Sequence, residues 1–150
     1  LPFYLGALIN LIGFNFLCVA KILFILSSIF SVVTMFILCR KLFGEKAAYI
    51  GSILYAYAPY RAVDLYVRGA LSEAWAFVFF PLIFHSSLLL SEKVSSRNIA
   101  YLALSLAGLF LTHNVTTLMF APFLFLWCVY LAVKQKRLKI FFPYIYSSIL

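Results

Sequence analysis

Four charged residues lie close together in the stretch YAYAPYRAVDLYVRGALSEAW: Arg61, Asp64, Arg68 and Glu73. If residues 59–69 are helical, Arg61, Asp64 and Arg68 are spaced i, i+3 and i+7 and share one side of the helix. Asp64 would then lie between two guanidinium groups and orient them, which leaves N–H donors for a phosphate or pyrophosphate. The pattern predicts an anion-binding site, and a purely structural salt-bridge ladder is the alternative.

Glu73 and His113 are the candidate catalytic residues. Glu73 falls in the first turn of the next predicted helix, where the helix dipole favours an anion, so capping competes with a role as a base or as a ligand of a sugar hydroxyl. His113 and Asn114 belong to a second polar segment, LTHNVTTL. Histidine can donate, accept or carry a proton near neutral pH, and a capped helix–helix turn is the alternative interpretation.

Three further side chains complete the predicted site. Lys21 is expected near the outer end of its helix, where it either extends its amine to the interface or binds an anionic group. Tyr60 and Tyr66 lie at the level of the charged stretch. They either belong to an aromatic belt at the membrane surface or stack on a sugar ring.

The rest of the chain must form elements that suit a bilayer. It is 66% hydrophobic and 11% charged, against about 45–50% and about 25% in an ordinary soluble domain. Since a span needs about 20 helical residues, we expect an all-α, polytopic transmembrane helix bundle with about five complete spans. The predicted helices are about 15–39, 44–60, 71–90, 98–112 and 116–133, with a truncated helix at 140–150 and a short interfacial or re-entrant segment at 1–15. We expect a single transmembrane domain that is an internal fragment of a longer chain.

The basic residues predict the topology. All Lys and Arg residues except Lys21, Arg61 and Arg68 lie in three short loops, 40–46, 91–97 and 134–139. The positive-inside rule makes these loops cytoplasmic, so residues 61–73 and 112–116 face the outer side of the plasma membrane. Because the charges form no continuous basic face, nucleic acid is not an expected partner.

Other motifs are few. The three cysteines are isolated and the two histidines are far apart, so neither a disulfide framework nor a zinc site is predicted. Within the third predicted helix, Pro81 should kink the backbone and leave the Phe77 carbonyl without its helical N–H partner. The sequence contains no glycine-rich phosphate loop and no GxSxG motif.

Three segments carry a resemblance to a known family: YAPYRAVDLYVRGALSEAWA, LTHNVTTLMF and residues 20–44. They resemble the multi-pass bacterial and archaeal membrane proteins called 6-pyruvoyl-tetrahydropterin synthase-related, which in turn look like relatives of the GT-C glycosyltransferases. Nothing here matches the zinc-binding histidines of the soluble pterin synthases. The resemblance implies transfer of a sugar from a polyprenyl-phosphate carrier to a cell-envelope acceptor at the outer face, with the catalytic aspartate in an upstream outer loop that this fragment lacks.

Carried onto this chain, the resemblance gives each candidate a role. Lys21, Arg61 and Arg68 would hold the lipid phosphate and Asp64 would orient the arginines, while Glu73 and His113 would act near the sugar or acceptor. Tyr60, Tyr66 and Asn114 would be further substrate contacts. No cofactor is evident, and a divalent metal would be bound together with the missing upstream loop. The alternatives are a transporter or flippase for an anionic lipid or solute, and a non-catalytic membrane assembly component.

Overall fold

The computed structural model describes residues 1–134, and helices joined by short connections make up this part of the chain. The all-α prediction is confirmed. In chain order the elements are α1 (Pro2–Leu11), α2 (Phe16–Phe43), α3 (Glu45–Ala56), α4 (Pro59–Ala62), a π-helical turn (Val63–Arg68), α5 (Leu71–Glu92), α6 (Ser96–Thr112) and α7 (Asn114–Lys134). The predicted helix 140–150 and all but the first residue of loop 134–139 lie outside the described residues.

Three of these helices are long and apolar enough to cross a membrane: α2 with 28 residues, α5 with 22 and α7 with 21. The prediction of about five complete spans is wrong for the described residues, because α3 has 12 residues and α6 has 17. The predicted helix 44–60 is too long because Pro59 disfavours helical geometry at the preceding residue. Ala58 is accordingly extended, with φ −56° and ψ 130°, and α3 ends at Ala56.

Helix α5 forms the centre of the bundle and contacts α1, α2, α6 and α7. On one side, Ile83 and Leu90 of α5 pack with Leu102 and Leu109 of α6, and all four are fully or almost fully buried. On the other side, residues of α1, α2 and α5 form a second apolar cluster around Trp75. The two clusters fix α5, and therefore Glu73 near its first turn, against the rest of the bundle.

Pro81, inside α5, makes an interhelical hydrogen bond possible. The carbonyl of Phe77, which the proline leaves without a helical donor, accepts a hydrogen bond of 2.8 Å from the hydroxyl of Tyr55 on α3. The ring of Tyr55 also lies edge-on to the Phe77 ring, with centroids 6.1 Å apart. Tyr55 therefore replaces the missing backbone donor and joins α3 to α5.

The substitution Tyr55→Phe tests this replacement. It keeps the ring packing but leaves the half-buried Phe77 carbonyl without a donor, so we expect the free energy of unfolding to fall by about 1 kcal/mol. Denaturant titration of the protein in detergent micelles measures the change, with the exposed Tyr57→Phe as the matched control. An equal effect of the two substitutions would contradict the role of the Tyr55 hydroxyl.

A salt bridge joins two of the basic loops at one end of the bundle. Lys41 Nζ, in the last turn of α2, lies 2.8 Å from Oε2 of Glu92, the last residue of α5. Loops 40–46 and 91–97 therefore lie at the same end, as the predicted topology requires. Both side chains are more than one-third exposed, so we expect this ion pair to contribute little stability.

Candidate functional site

The charged stretch forms two short helical elements instead of one regular helix. Pro59 starts α4, and the next turn is π-helical over Val63–Arg68. In a π-helix each N–H bonds to the carbonyl five residues earlier, so the α-helical i, i+3, i+7 spacing does not apply. Gly69, at φ +59°, ends this turn in the left-handed conformation, and the Ala70 N–H bonds to the Asp64 carbonyl at 3.1 Å. This reversal brings the start of α5 back beside Arg68.

Arg68 is the centre of a polar network that also contains Tyr60, Asp64 and Glu73, here called the Arg68 network. Its Nη1 and Nη2 donate to Oε2 and Oε1 of Glu73, each at 2.8 Å. The Tyr60 hydroxyl accepts from Arg68 at 3.0 Å and donates to Glu73 at 3.0 Å. The bidentate ion pair with Glu73, which the sequence did not predict, holds Glu73 as an ionised acceptor.

Asp64 is the most buried charged side chain of the network, with 1% of its side chain exposed. Its Oδ1 lies 3.6 Å from Arg68 Nη1, and neither carboxylate oxygen has a hydrogen-bond partner. Burial, followed by the neighbouring Glu73 carboxylate, raises the pKa of Asp64 to about 6, although Arg68 and Arg61 oppose the change. Asp64 therefore has free proton-accepting capacity that Glu73 lacks.

The Arg61 side chain is buried inside the bundle. It is 3% exposed, and its Nη1 donates to the hydroxyl of Ser31 on α2 at 2.6 Å. Its guanidinium carbon lies 5.4 Å from the ring centroids of both Tyr55 and Phe77. Of the predicted ladder, the pair of Asp64 with Arg68 is present at 3.6 Å, whereas Arg61 donates to Ser31 and no ion pair joins it to Asp64 among the described residues.

Lys21 and Tyr66 meet at an open groove between α2 and the π-helical turn. The groove has a volume of about 460 Å³, and its other lining residues are Phe24, Ile25, Ser28, Ile29 and Leu65. Lys21 is exposed and has no ion-pair partner within residues 1–134. Tyr66 is 87% exposed. The groove thus combines one available cation with an apolar wall, and Asp64 lies next to Leu65 in the turn that forms its other side.

His113 and Asn114 lie at the junction of α6 and α7. His113 Nδ1 accepts the backbone N–H of Thr116 at 3.2 Å and contacts the Thr116 hydroxyl at 2.7 Å. This is the capping interaction of the alternative interpretation, and no hydrogen bond or ion pair among the described residues links His113 to the Arg68 network. Asn114 instead lines a separate, largely apolar cavity of about 450 Å³ together with Thr117.

Metal ligands are not grouped in this part of the protein. Within residues 1–134, no three His, Cys, Asp or Glu residues lie close enough together to hold an ion. Asp64 and Glu73 are neighbours, but the cation between them is the Arg68 guanidinium. Residues 1–134 therefore do not provide a complete set of metal ligands by themselves.

Sequence reasoning missed Ser31 and Tyr55 as partners of Arg61. Ser31 is completely buried and is 30 residues away in sequence, within a run of small polar residues on α2. The only signal was its position among the Ser and Thr residues of an apolar span, which is too weak to identify a partner.

Comparison with known proteins places the chain in a family. It is 31% identical over 99 residues to an uncharacterized protein of Lactococcus lactis subsp. cremoris (strain MG1363), covering 66% of this chain and 16% of that relative. The chain thus spans about one-sixth of the length of that relative. No solved structure matches. The family described as 6-pyruvoyl-tetrahydropterin synthase related domain, membrane protein, matches residues 1–149, and the chain therefore belongs to this family of membrane proteins.

Proposed function

We propose that this membrane protein is a glycosyltransferase-like enzyme of the GT-C type that acts on a polyprenyl-phosphate-linked sugar at the non-cytoplasmic face of the cell membrane. The observation that carries the proposal is the groove in which Lys21 is the available cation. An ammonium group in the lining of a largely apolar groove suits a lipid phosphate, because the phosphate can pair with the cation while the hydrocarbon packs on Ile25 and Ile29.

The proposed roles follow the positions of the side chains. Lys21 binds the phosphate, and Tyr66, exposed beside it, offers a ring on which a sugar can stack. The Arg68 side chain is 46% exposed and contributes positive charge, although the ion pair with Glu73 neutralises much of that charge. Arg61 is buried and is not part of the groove lining. His113 caps the start of α7.

A transporter or flippase is the competing function. It needs polar side chains that continue from the groove through the membrane. Ser27, Ser31 and Thr34 lie in that direction, but each hydroxyl donates to a carbonyl one turn earlier on α2. These bonds satisfy the hydroxyl donors within the helix, so the enzyme is the preferred proposal. In the third candidate, a non-catalytic assembly component, the Arg68 network serves only to join the π-helical turn to α5.

Substituting Lys21 tests the proposal. Lys21→Ala removes a charge-assisted hydrogen bond worth about 1.5 kcal/mol, so we expect about a tenfold loss in transfer from a polyprenyl-phosphate-linked sugar. The full-length protein in lipid nanodiscs is the material, and transfer of radiolabelled sugar is the measurement.

Two variants complete the experiment. Lys21→Arg keeps the charge and should retain most of the activity, and Lys46→Ala, on the exposed start of α3, should have no effect. Equal transfer by the wild-type protein and Lys21→Ala would contradict the assignment of the groove. If the wild-type protein transfers no sugar, although Lys21→Ala weakens binding of the lipid-linked sugar, a transporter or an assembly component is favoured over the enzyme.

A further inference from the structure

Two carboxylates in the Arg68 network share one guanidinium group. Glu73 accepts hydrogen bonds from both Nη1 and Nη2 of Arg68, each at 2.8 Å. Asp64 Oδ1 lies 3.6 Å from Nη1 and forms no hydrogen bond with it. The second cation nearby, Arg61, donates to Ser31 and lies against two aromatic rings. When both carboxyl groups are ionised, Asp64 is a buried anion whose charge is only partly compensated.

Burying such a charge is unfavourable unless the group is paired and hydrogen-bonded. A proton on Asp64 removes the charge and converts the carboxyl into an O–H donor. The neighbouring Glu73 carboxylate, held ionised by Arg68 and Tyr60, is the acceptor that such a donor needs. Three charged side chains act electrostatically on Asp64: Arg61 from α4, Arg68 from its own turn and Glu73 from α5.

We propose that Asp64 and Glu73 form a proton-binding site in which one proton is held between the two carboxyl groups and Arg68 is the counter-cation. Proton uptake breaks no covalent bond: the proton comes from water and adds to a carboxylate oxygen of Asp64. The charge of the network rises by one unit. The pKa of Asp64, raised to about 6 first by burial and then by Glu73, places this uptake close to neutral pH.

Proton binding should be linked to the groove. Leu65 and Tyr66, which follow Asp64 directly, form one side of the groove that contains Lys21. A network that is more positive by one unit attracts an anion more strongly, and by reciprocity a bound anion raises the proton affinity of Asp64. This part of the inference rests on the proposed function, since it assumes that a lipid phosphate binds in the groove.

Asp64 is the only aspartate in the 150 residues, so a selective label reports on it in the unmodified chain. We would incorporate aspartate carrying ¹³C at the side-chain carboxyl and follow its NMR signal in lipid nanodiscs as the pH is changed. The expected midpoint is about 6. A midpoint at the ordinary aspartate value of about 4 would overturn the proton site.

The substitution Glu73→Gln tests the role of the pair. It removes the negative neighbour and frees Arg68 for Asp64, so the midpoint of the labelled Asp64 should fall towards the ordinary value. Glu92→Gln, at the far end of α5, is the matched control and should leave the midpoint unchanged. An unchanged midpoint in Glu73→Gln would contradict the shared site.

Adding a polyprenyl phosphate to the labelled wild-type protein separates the two proposals. A rise in the midpoint supports both the proton site and phosphate binding beside it. A midpoint that stays near 6 with saturating lipid supports the proton site and contradicts the binding of the phosphate in the Lys21 groove. A midpoint near 4 that rises on addition of the lipid overturns the proton site and supports phosphate binding.

Discussion

Replacing Arg61 by Ala is expected to lower the free energy of unfolding by about 3 kcal/mol, the largest effect of any single substitution considered for this protein. The guanidinium is almost fully buried and donates to Ser31, a charge-assisted hydrogen bond worth about 1.5–3 kcal/mol. Its position against the rings of Tyr55 and Phe77 adds up to about 2 kcal/mol. The substitution also removes a positive charge that helps to stabilise ionised Asp64. The relief of the desolvation cost of Arg61 itself offsets part of the sum.

The measurement is denaturant unfolding in detergent micelles. Arg40→Ala, which removes an exposed arginine near the end of α2, is the matched control and should change stability by less than about 0.5 kcal/mol. Ser31→Ala provides a second route to the same contact, because it leaves a donor of Arg61 without its acceptor. If Arg61 instead binds substrate, Arg61→Ala will fold with normal stability and lose only ligand binding, which would contradict the structural assignment.

The three helices that are long and apolar enough to cross a membrane were the part of the fold that the sequence predicted well. Long apolar runs bounded by basic loops are a strong signal, since few other structures suit such composition. Pro81 was equally informative, because the proline ring removes a particular hydrogen bond and so identifies Phe77 as the free acceptor. Helix α6 was predicted to within two residues at its start and ends as predicted at Thr112. Helix α3 was predicted too long, because its apolar run outweighed the helix-ending signal of Pro59.

The charged stretch shows why the site was harder to predict than the fold. Regular α-helical spacing was the reasonable expectation for residues 59–69, and the π-helical turn overturns it. Arg61 precedes this turn, in α4, and its side chain contacts Ser31 inside the bundle. The pairing of Arg68 with Glu73 depends on the left-handed conformation of Gly69, and its partner belongs to a different helix. Such contacts depend on tertiary structure, which the spacing of residues within one segment does not encode.

The candidate site is consequently smaller and differently organised than the sequence predicted. Lys21 and Tyr66 line one groove, and Arg68, Glu73 and Tyr60 form a closed network beside it. The sequence predicted that Asp64 orients two arginines. In the structure its carboxyl group is buried, and neither oxygen has a hydrogen-bond partner. The residues that the sequence placed on one surface are therefore divided between the groove, the Arg68 network and the interior of the bundle.

Gly108→Ala is expected to lower the free energy of unfolding by about 2 kcal/mol, although alanine normally stabilises a helix relative to glycine by up to about 1 kcal/mol. Gly108 lies within α6 where this helix packs on α5. An added Cβ would overlap the ring of Phe79, coming within 2.7 Å of Cζ and closer still to Cε1. Because Phe79 packs against the buried core of α5 and α6, the ring can move only by disturbing its neighbours.

A double-mutant cycle identifies the cause of this loss. In a Phe79→Leu background the aromatic ring is absent, so Gly108→Ala should be neutral or stabilising. Gly6→Ala is the matched control, since its Cβ would meet only the flexible end of Leu23 at 3.2 Å and the side chain of Val19 at 3.4 Å. An equal loss from Gly108→Ala in both backgrounds would contradict the overlap with Phe79. The expected reversal of sign would instead show that close approach of α5 and α6, and not helix propensity, requires glycine at this position.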